Sequence, residues 1–145
     1  MAKQYWLIKS EPNKYAYPQL EKDGRTTWDG VRNFEARNNL RAMKEGDFAL
    51  FYHSTIGKEA VGVATVLREA YPDPTAKGED WSAVDFAPSF RLKKAVSLDT
   101  MKEDRALEGI QLVTRGRLSV VPVSAAHFER ILALAETKVP SGKAK

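Results

Sequence analysis

The 145-residue chain contains no cysteine. That absence removes disulfide frameworks, thiolate nucleophiles, zinc-finger clusters and cysteine-ligated iron–sulfur centres, and it fits a reducing compartment. Histidine is scarce as well. His53 and His127 are the only two, so an all-histidine metal site cannot be built within one chain and the usual zinc ligand sets are nearly excluded. No apolar run approaches the ~18 residues that suggest a membrane span. Met1-Ala2-Lys3-Gln4 leads straight into an alternating segment and lacks the apolar core of a secretory signal. Neither a Walker loop nor a strand-linked G-x-G-x-x-G occurs, and the stretch from Gly57 to Gly62 is explained by a hairpin. These absences predict a protein with no metal, no cofactor and no membrane partner, placed in the cytoplasm, or in the nucleus if eukaryotic.

What remains is charge and aromatic surface. Lys and Arg number 23 against 19 Asp and Glu, a net charge of +4. Half of that excess lies in the last ten residues, with three Lys and one Glu. The useful charge is therefore local: Arg25 to Lys44 holds five basic and two acidic residues, net +3 in twenty. One domain is expected over residues 1–135, since a chain of this length buries about 68–70% of its unfolded surface, followed by a disordered basic tail over 136–145. A monomer is expected.

Residue pattern predicts strands over Tyr5–Lys9, Phe48–Tyr52, Ala60–Leu67, Trp81–Phe86, Phe90–Val96 and Leu118–Val123, with Pro88 breaking the fourth from the fifth. Helices are expected at Pro18–Lys22, from Asn33 to Lys44, at Ser97–Lys102 and after the cap Ser124, where Phe128, Ile131, Leu132 and Ala135 recur at helical spacing. Thr26 to Asn33 and Tyr71 to Asp80 read as loops. Five or six strands interleaved with short helices indicate an α+β fold around a curved sheet or partly open β-barrel.

Trp28 is the most informative residue. Its neighbours are Thr, Asp, Gly, Arg and Asn, not an apolar periodic segment, so they do not predict burial in the main core. Trp6, within a strand, belongs to the core. Trp81 opens a strand after an acidic loop and suits either core or pocket. Two tryptophans at a pocket rim can sandwich a planar base, worth about 1–3 kcal/mol per base without selecting sequence. Selection then needs donors and acceptors on the base edge, which Ser10, Glu11, Asp29, Asn33, His53, Ser54 and Asp85 can supply. His53 reads first as a buried, satisfied histidine and second as a pocket residue. The stripe Arg37, Arg41 and Lys44, flanked by Arg25 and Arg32 and extended by Arg115 and Arg117, is either a solvated helix face or a phosphate-contacting surface. A carboxylate pair drawn from Glu11, Asp29 and Asp85 leaves a hydrolase acting on nucleic acid as the alternative from another class.

Several segments carry a resemblance. Tyr5-Trp6-Leu7-Ile8-Lys9-Ser10-Glu11-Pro12, Thr27-Trp28-Asp29-Gly30-Val31-Arg32-Asn33, Phe51-Tyr52-His53-Ser54, Glu69-Ala70-Tyr71-Pro72-Asp73 and Leu112-Val113-Thr114-Arg115, in this order, are similar to the EVE domain of the thymocyte nuclear protein 1 family. The resemblance spans about residues 4–135. It implies a PUA-like fold related to YTH domains and a reader of modified bases in nucleic acid, modified cytosine in DNA before RNA, with the base flipped into an aromatic pocket and no catalytic residue. An RNA-binding PUA-like accessory domain is the alternative within that family. By similarity to the YTH pocket, Lys9-Ser10-Glu11 matches the segment that contacts the base edge, Trp28-Asp29 the cage tryptophan with its polar neighbour, and Trp81 the second wall. The YTH segment carries an amide where this chain has Glu11, so the resemblance does not require the same base edge to be read.

Overall fold

A computed structural model describes residues 3–77 and 80–140. Six strands form one mixed sheet: β1 (Tyr5–Ser10), β2 (Thr26–Trp28), β3 (Phe48–His53), β4 (Glu59–Pro72), β5 (Ser82–Ser97) and β6 (Val120–Val123), in the spatial order β2-β5-β4-β3-β1-β6. The pair β1 and β3 is parallel and the other neighbours run antiparallel. Around the sheet lie α1 (Tyr17–Asp23), α2 (Phe34–Ala42), α3 (Leu98–Glu103), α4 (Gln111–Thr114) and α5 (Ala125–Leu134). The α+β curved sheet expected from the residue pattern is thus realised with six strands.

Strand pleating sorts side chains onto the two faces. Leu7 and Leu50 face a core with Val121, Phe128 and Ile131, so α5 covers that side. Trp6, Ile8 and Phe51 face the other core, which α1 and α2 close with Leu20, Ala36 and Leu40. Trp6 is core as expected, and its indole Nε1 donates to Asp47 Oδ2 at 3.0 Å. Asp47 also accepts from the Gln4 and Lys44 amides, which satisfies a buried carboxylate.

Three elements differ from the sequence expectation. Thr26–Trp28 is an edge strand, not loop, because two threonines and a tryptophan pair with Val84–Phe86. β5 continues through Pro88 because that residue faces Ala64 at a register shift, where a bulge dispenses with a ladder bond that proline cannot make. β4 runs on to Pro72 through further shifts, and these bulges bend the two long strands. Of the tail expected from Glu136, residues 141–145 lie outside the described residues. Glu136 pairs with Lys94, and the Thr137 hydroxyl accepts from the Lys93 amide at 2.8 Å.

α1 is locked to the sheet by a close approach. A Cβ at Gly62 would come within 2.6 Å of Tyr17 Cε1, so only glycine lets the ring lie flat on β4. The Tyr17 hydroxyl lies 2.9 Å from the Val63 carbonyl. Burial first, and Glu21 second, push its pKa up to about 12.

Candidate nucleic-acid interface

Because β1 and β3 run parallel, they end side by side, Ser10 opposite His53. The Ser54 amide donates to the Ser10 carbonyl at 2.9 Å. After Ser10 the chain turns tightly, with the Lys14 and Tyr15 amides both donating to the Glu11 carbonyl at 2.9 and 2.8 Å. Ser10 Oγ donates to the Tyr15 carbonyl at 2.6 Å, and His53 Nε2 accepts from the Tyr17 amide at 3.1 Å. That bond places the His53 proton on Nδ1. Burial holds the His53 pKa below its ordinary value against the opposing pull of Glu59. His53 is therefore a neutral ring that fixes the entry to α1, with its Nε2 lone pair already committed.

The tight turn delivers Tyr15 to Trp28. Trp28 is half-buried at the end of β2, and three rings meet it edge-on: Tyr15 at 6.5 Å and 82°, Phe51 at 5.7 Å and 84°, Phe86 at 5.7 Å and 87°. Edge-to-face contacts fix a ring's plane, so this indole is held rigidly against the core formed by Phe51 and Phe86 while staying only partly buried. Asp29 follows it, exposed, and Glu11 keeps 40% of its side chain exposed beside Lys14 at 3.7 Å. Ser10 and His53 are thus linked to Trp28 through the turn that carries Glu11 and Tyr15, and Asp29 follows the indole in sequence, whereas Ser54 lines a separate cleft with Lys9, Tyr52 and Leu112.

Other expected members are not brought to that group. Asp85 pairs with Thr27, not Trp28, so the pleat turns its carboxylate to the opposite face from the indole. There it accepts from Arg25 Nη2 at 2.6 Å, from Thr27 Oγ1 at 3.0 Å and from the Tyr71 hydroxyl. Burial alone would raise its pKa, but these donors hold it below the ordinary carboxylate range. Asn33 caps α2, its Oδ1 accepting from the Ala36 amide at 2.9 Å, which leaves only its amide nitrogen for other contacts. Trp81 is 8% exposed and packs in a separate aromatic group, stacked on Phe34 at 4.9 Å and 18°. As a second wall it is already covered on one face.

The basic residues divide by partner. Arg25, Arg32, Arg41 and Arg115 pair with Asp85, Asp73, Asp80 and Glu35. Arg37 meets no carboxylate among the described residues; it donates to the Asp80 carbonyl and to Asn38. Lys44 and Arg117 are exposed. The net field of the patch therefore comes chiefly from Arg37, Lys44 and Arg117, and the paired arginines would have to exchange partners to reach a phosphate.

Residue pattern gave no sign of what pins the Trp28 loop. Asp73, buried, accepts from the Gly30 amide at 2.8 Å, Arg32 Nη1 at 3.0 Å, the Thr75 amide at 2.7 Å and Thr75 Oγ1 at 2.6 Å. Burial would raise its pKa; the hydrogen bonds, Thr75 first, outweigh that and bring it to about 2. This clamp ties the segment after Trp28 to the end of β4. The frame rings Tyr15, Phe51 and Phe86, and the exposed Phe34, were also missed. Phe34 carried a usable signal, since it follows Asn33 in the same polar stretch that singled out Trp28. Four surface clefts of about 250 to 960 Å³ lie elsewhere, and of the base-edge candidates only Ser54 lines one. Among the described residues no group of three or more His, Cys, Asp or Glu is placed to hold a metal ion. No helix there is long and apolar enough to cross a membrane.

Comparison with known proteins decides the family. The model of the EVE domain matches residues 4–134. The chain belongs to the EVE domain family. Thymocyte nuclear protein 1 of Mus musculus is 37% identical over 92% of this chain and 74% of its own length. Among solved structures, protein Atu2648 from Agrobacterium tumefaciens is 40% identical, covering 94% of this chain and 96% of that one, with a TM-score of 0.92. The human THYN1 protein, solved in complex with 5-methylcytosine-containing DNA, is 33% identical over 94% of this chain and 99% of that one, with a TM-score of 0.86. The YTH domain of Zygosaccharomyces rouxii MRB1, solved with N6-methyladenosine RNA, shares the EVE fold at 18% identity and a TM-score of 0.61, covering 97% and 90%.

Proposed function

We propose that this EVE domain is a non-enzymatic reader of modified bases, with modified cytosine in DNA as its ligand and Trp28 as the residue that takes the base. The observation that carries the reading is the Trp28 indole, framed by three rings and only partly buried at the sheet edge, in a chain segment that runs on into the basic helix α2. Its support from outside is the 33% identical human THYN1 protein, which was solved with 5-methylcytosine-containing DNA. Asp29, next to Trp28 in sequence, and Glu11, in the turn that delivers Tyr15 to the indole, offer carboxylate acceptors of the kind that match the N4 amino donor of cytosine.

Taking a base out of a duplex costs a few kcal/mol. Stacking on Trp28 returns about 1–3 kcal/mol, and phosphate contacts from Arg37, Lys44 and Arg117 supply a salt-dependent remainder. A methyl group adds only about 0.8 kcal/mol of apolar burial, so discrimination beyond a few-fold must come from how the Glu11 and Asp29 edge shapes the site. The carboxylate-pair hydrolase loses Asp85, which lies on the opposite face with its oxygens occupied, and keeps only Glu11 and Asp29 as candidates.

The test is a fluorescence-anisotropy panel of modified and unmodified DNA and RNA against wild type and Trp28→Ala. Trp28→Ala is expected to weaken binding of the 5-methylcytosine oligonucleotide about tenfold or more. Equal, weak binding of every oligonucleotide by both proteins would refute the proposal, and RNA outcompeting modified DNA at equal salt would redirect it to the RNA-binding alternative.

A further inference from the structure

Phe34 is a large apolar side chain that the fold leaves in water, 62% exposed at the first position of α2. Its inner face stacks on Trp81, which is itself buried, so the ring rests on a rigid backing and has no space to fold inward. The Arg37 guanidinium lies 4.9 Å from the Phe34 centroid. Arg32 and Arg37 also stand 5.6 and 5.8 Å from the Trp81 ring. Glu35, next in sequence, is neutralised by a two-pronged pair with Arg115. The outer face of Phe34 is thus a flat apolar surface set among fixed cations.

That combination is poorly suited to the core of a protein–protein contact, where charge is depleted. It suits nucleic acid, in which stacked bases offer flat apolar faces and phosphates surround them with negative charge. Phe34 also stands six residues after Trp28, and Asp73 pins the intervening segment through the Gly30 amide and the Arg32 guanidinium. Trp28 and Phe34 thus flank one pinned segment, the indole partly buried and the phenyl ring exposed.

We infer that Phe34 is a stacking wedge, which fills the gap left in a duplex when the modified base is taken to Trp28 and stacks on the bases beside that gap. The inference rests on the base-reader reading above. An apolar side chain inserted at a base step is a general device for holding DNA open. Here the wedge has little conformational freedom to lose, because Trp81 already holds it. In a single strand there is no stack to replace, so the wedge contributes little.

The test uses the full chain and one 5-methylcytosine oligonucleotide, as a single strand and as a duplex. Phe34→Ala is expected to weaken duplex binding about tenfold while changing single-strand binding less than twofold, and Phe34→Trp to restore duplex binding. Trp28→Ala should weaken both. Thermal melts of each variant check that the fold survives; an exposed ring can be removed without opening the core. Duplex binding by Phe34→Ala equal to wild type, or equal losses on duplex and single strand, would overturn the wedge alone. A wild type with no preference for the modified oligonucleotide in either form would overturn the base-reader reading and the wedge with it.

Discussion

Replacing Asp73 by Asn tests whether the ionic clamp after β4 holds the Trp28 loop. The carboxylate titrates at about 2 in the fold against an ordinary 3.8. At about 1.36 kcal/mol per pKa unit, that difference corresponds to about 2 kcal/mol of stability at neutral pH. Asn keeps the shape but turns an NH₂ toward donors and leaves Arg32 without its counter-charge. For 145 residues the loss converts to a fall in Tm of about 7 °C. The pH dependence follows from the direction of the shift. A carboxylate whose pKa is lowered by folding stabilises fully above its unfolded value and loses that contribution as pH falls through the folded one. Wild type and Asp73→Asn should therefore differ most above pH 4 and converge toward pH 2. Thermal melts at pH 7 and urea melts at pH 7, 4, 3 and 2, with an NMR titration of the Asp73 carboxyl, measure these quantities. An unchanged Tm at pH 7, or a difference that stays constant from pH 4 to pH 2, would refute the clamp.

Two further outcomes can be measured on the same protein. Gly62→Ala places a methyl group against the Tyr17 ring and should cost about 1–3 kcal/mol in a urea melt; full stability would show that α1 slides freely on β4. Arg37→Ala should flatten the log–log salt dependence of DNA binding by about one unit, whereas Arg41→Ala, which removes an arginine already paired with Asp80, should flatten it less. Equal effects would mean that the Asp80 pair opens on binding.

Much of the arrangement was legible in the order of residues, and what escaped did so for one physical reason. Trp6 in an apolar strand and Trp28 in a polar segment each announced a surrounding through adjacent residues. The caps Asn33 and Ser124 did the same, because a capping side chain bonds an amide three positions on. Asp73 did not. Its partners Gly30 and Arg32 are 43 and 41 residues away, and in sequence it is one residue of a proline-flanked turn. The pairing of Asp85 with Arg25 and of Arg115 with Glu35 is equally remote, so a local count of positive charge overstated what the patch has available. Trp81 stood at the margin of two readings because its stacking partner, Phe34, lies 47 positions upstream. Thr26–Trp28, at three residues, is too short to display a strand's alternation.

The parallel pairing of β1 and β3 sends two loops, Glu11–Ala16 and Ser54–Lys58, out of the same end of the sheet. Each is tethered at its base: by amides folding back on the Glu11 carbonyl in one, and by the Ser54 and Leu98 amides bonding Ser10 and Lys58 in the other. Neither loop contributes a strand to the sheet or a fully buried side chain to either core, although Tyr15 of the first packs partly buried against the core beside Trp28. Exchange of residues in Ser54–Lys58 leaves the framework standing, whereas exchange of Tyr15 removes one ring from around Trp28. The same sheet end thus carries one loop that touches neither core, Ser54–Lys58, and one, Glu11–Ala16, that is tied to Trp28 through Tyr15.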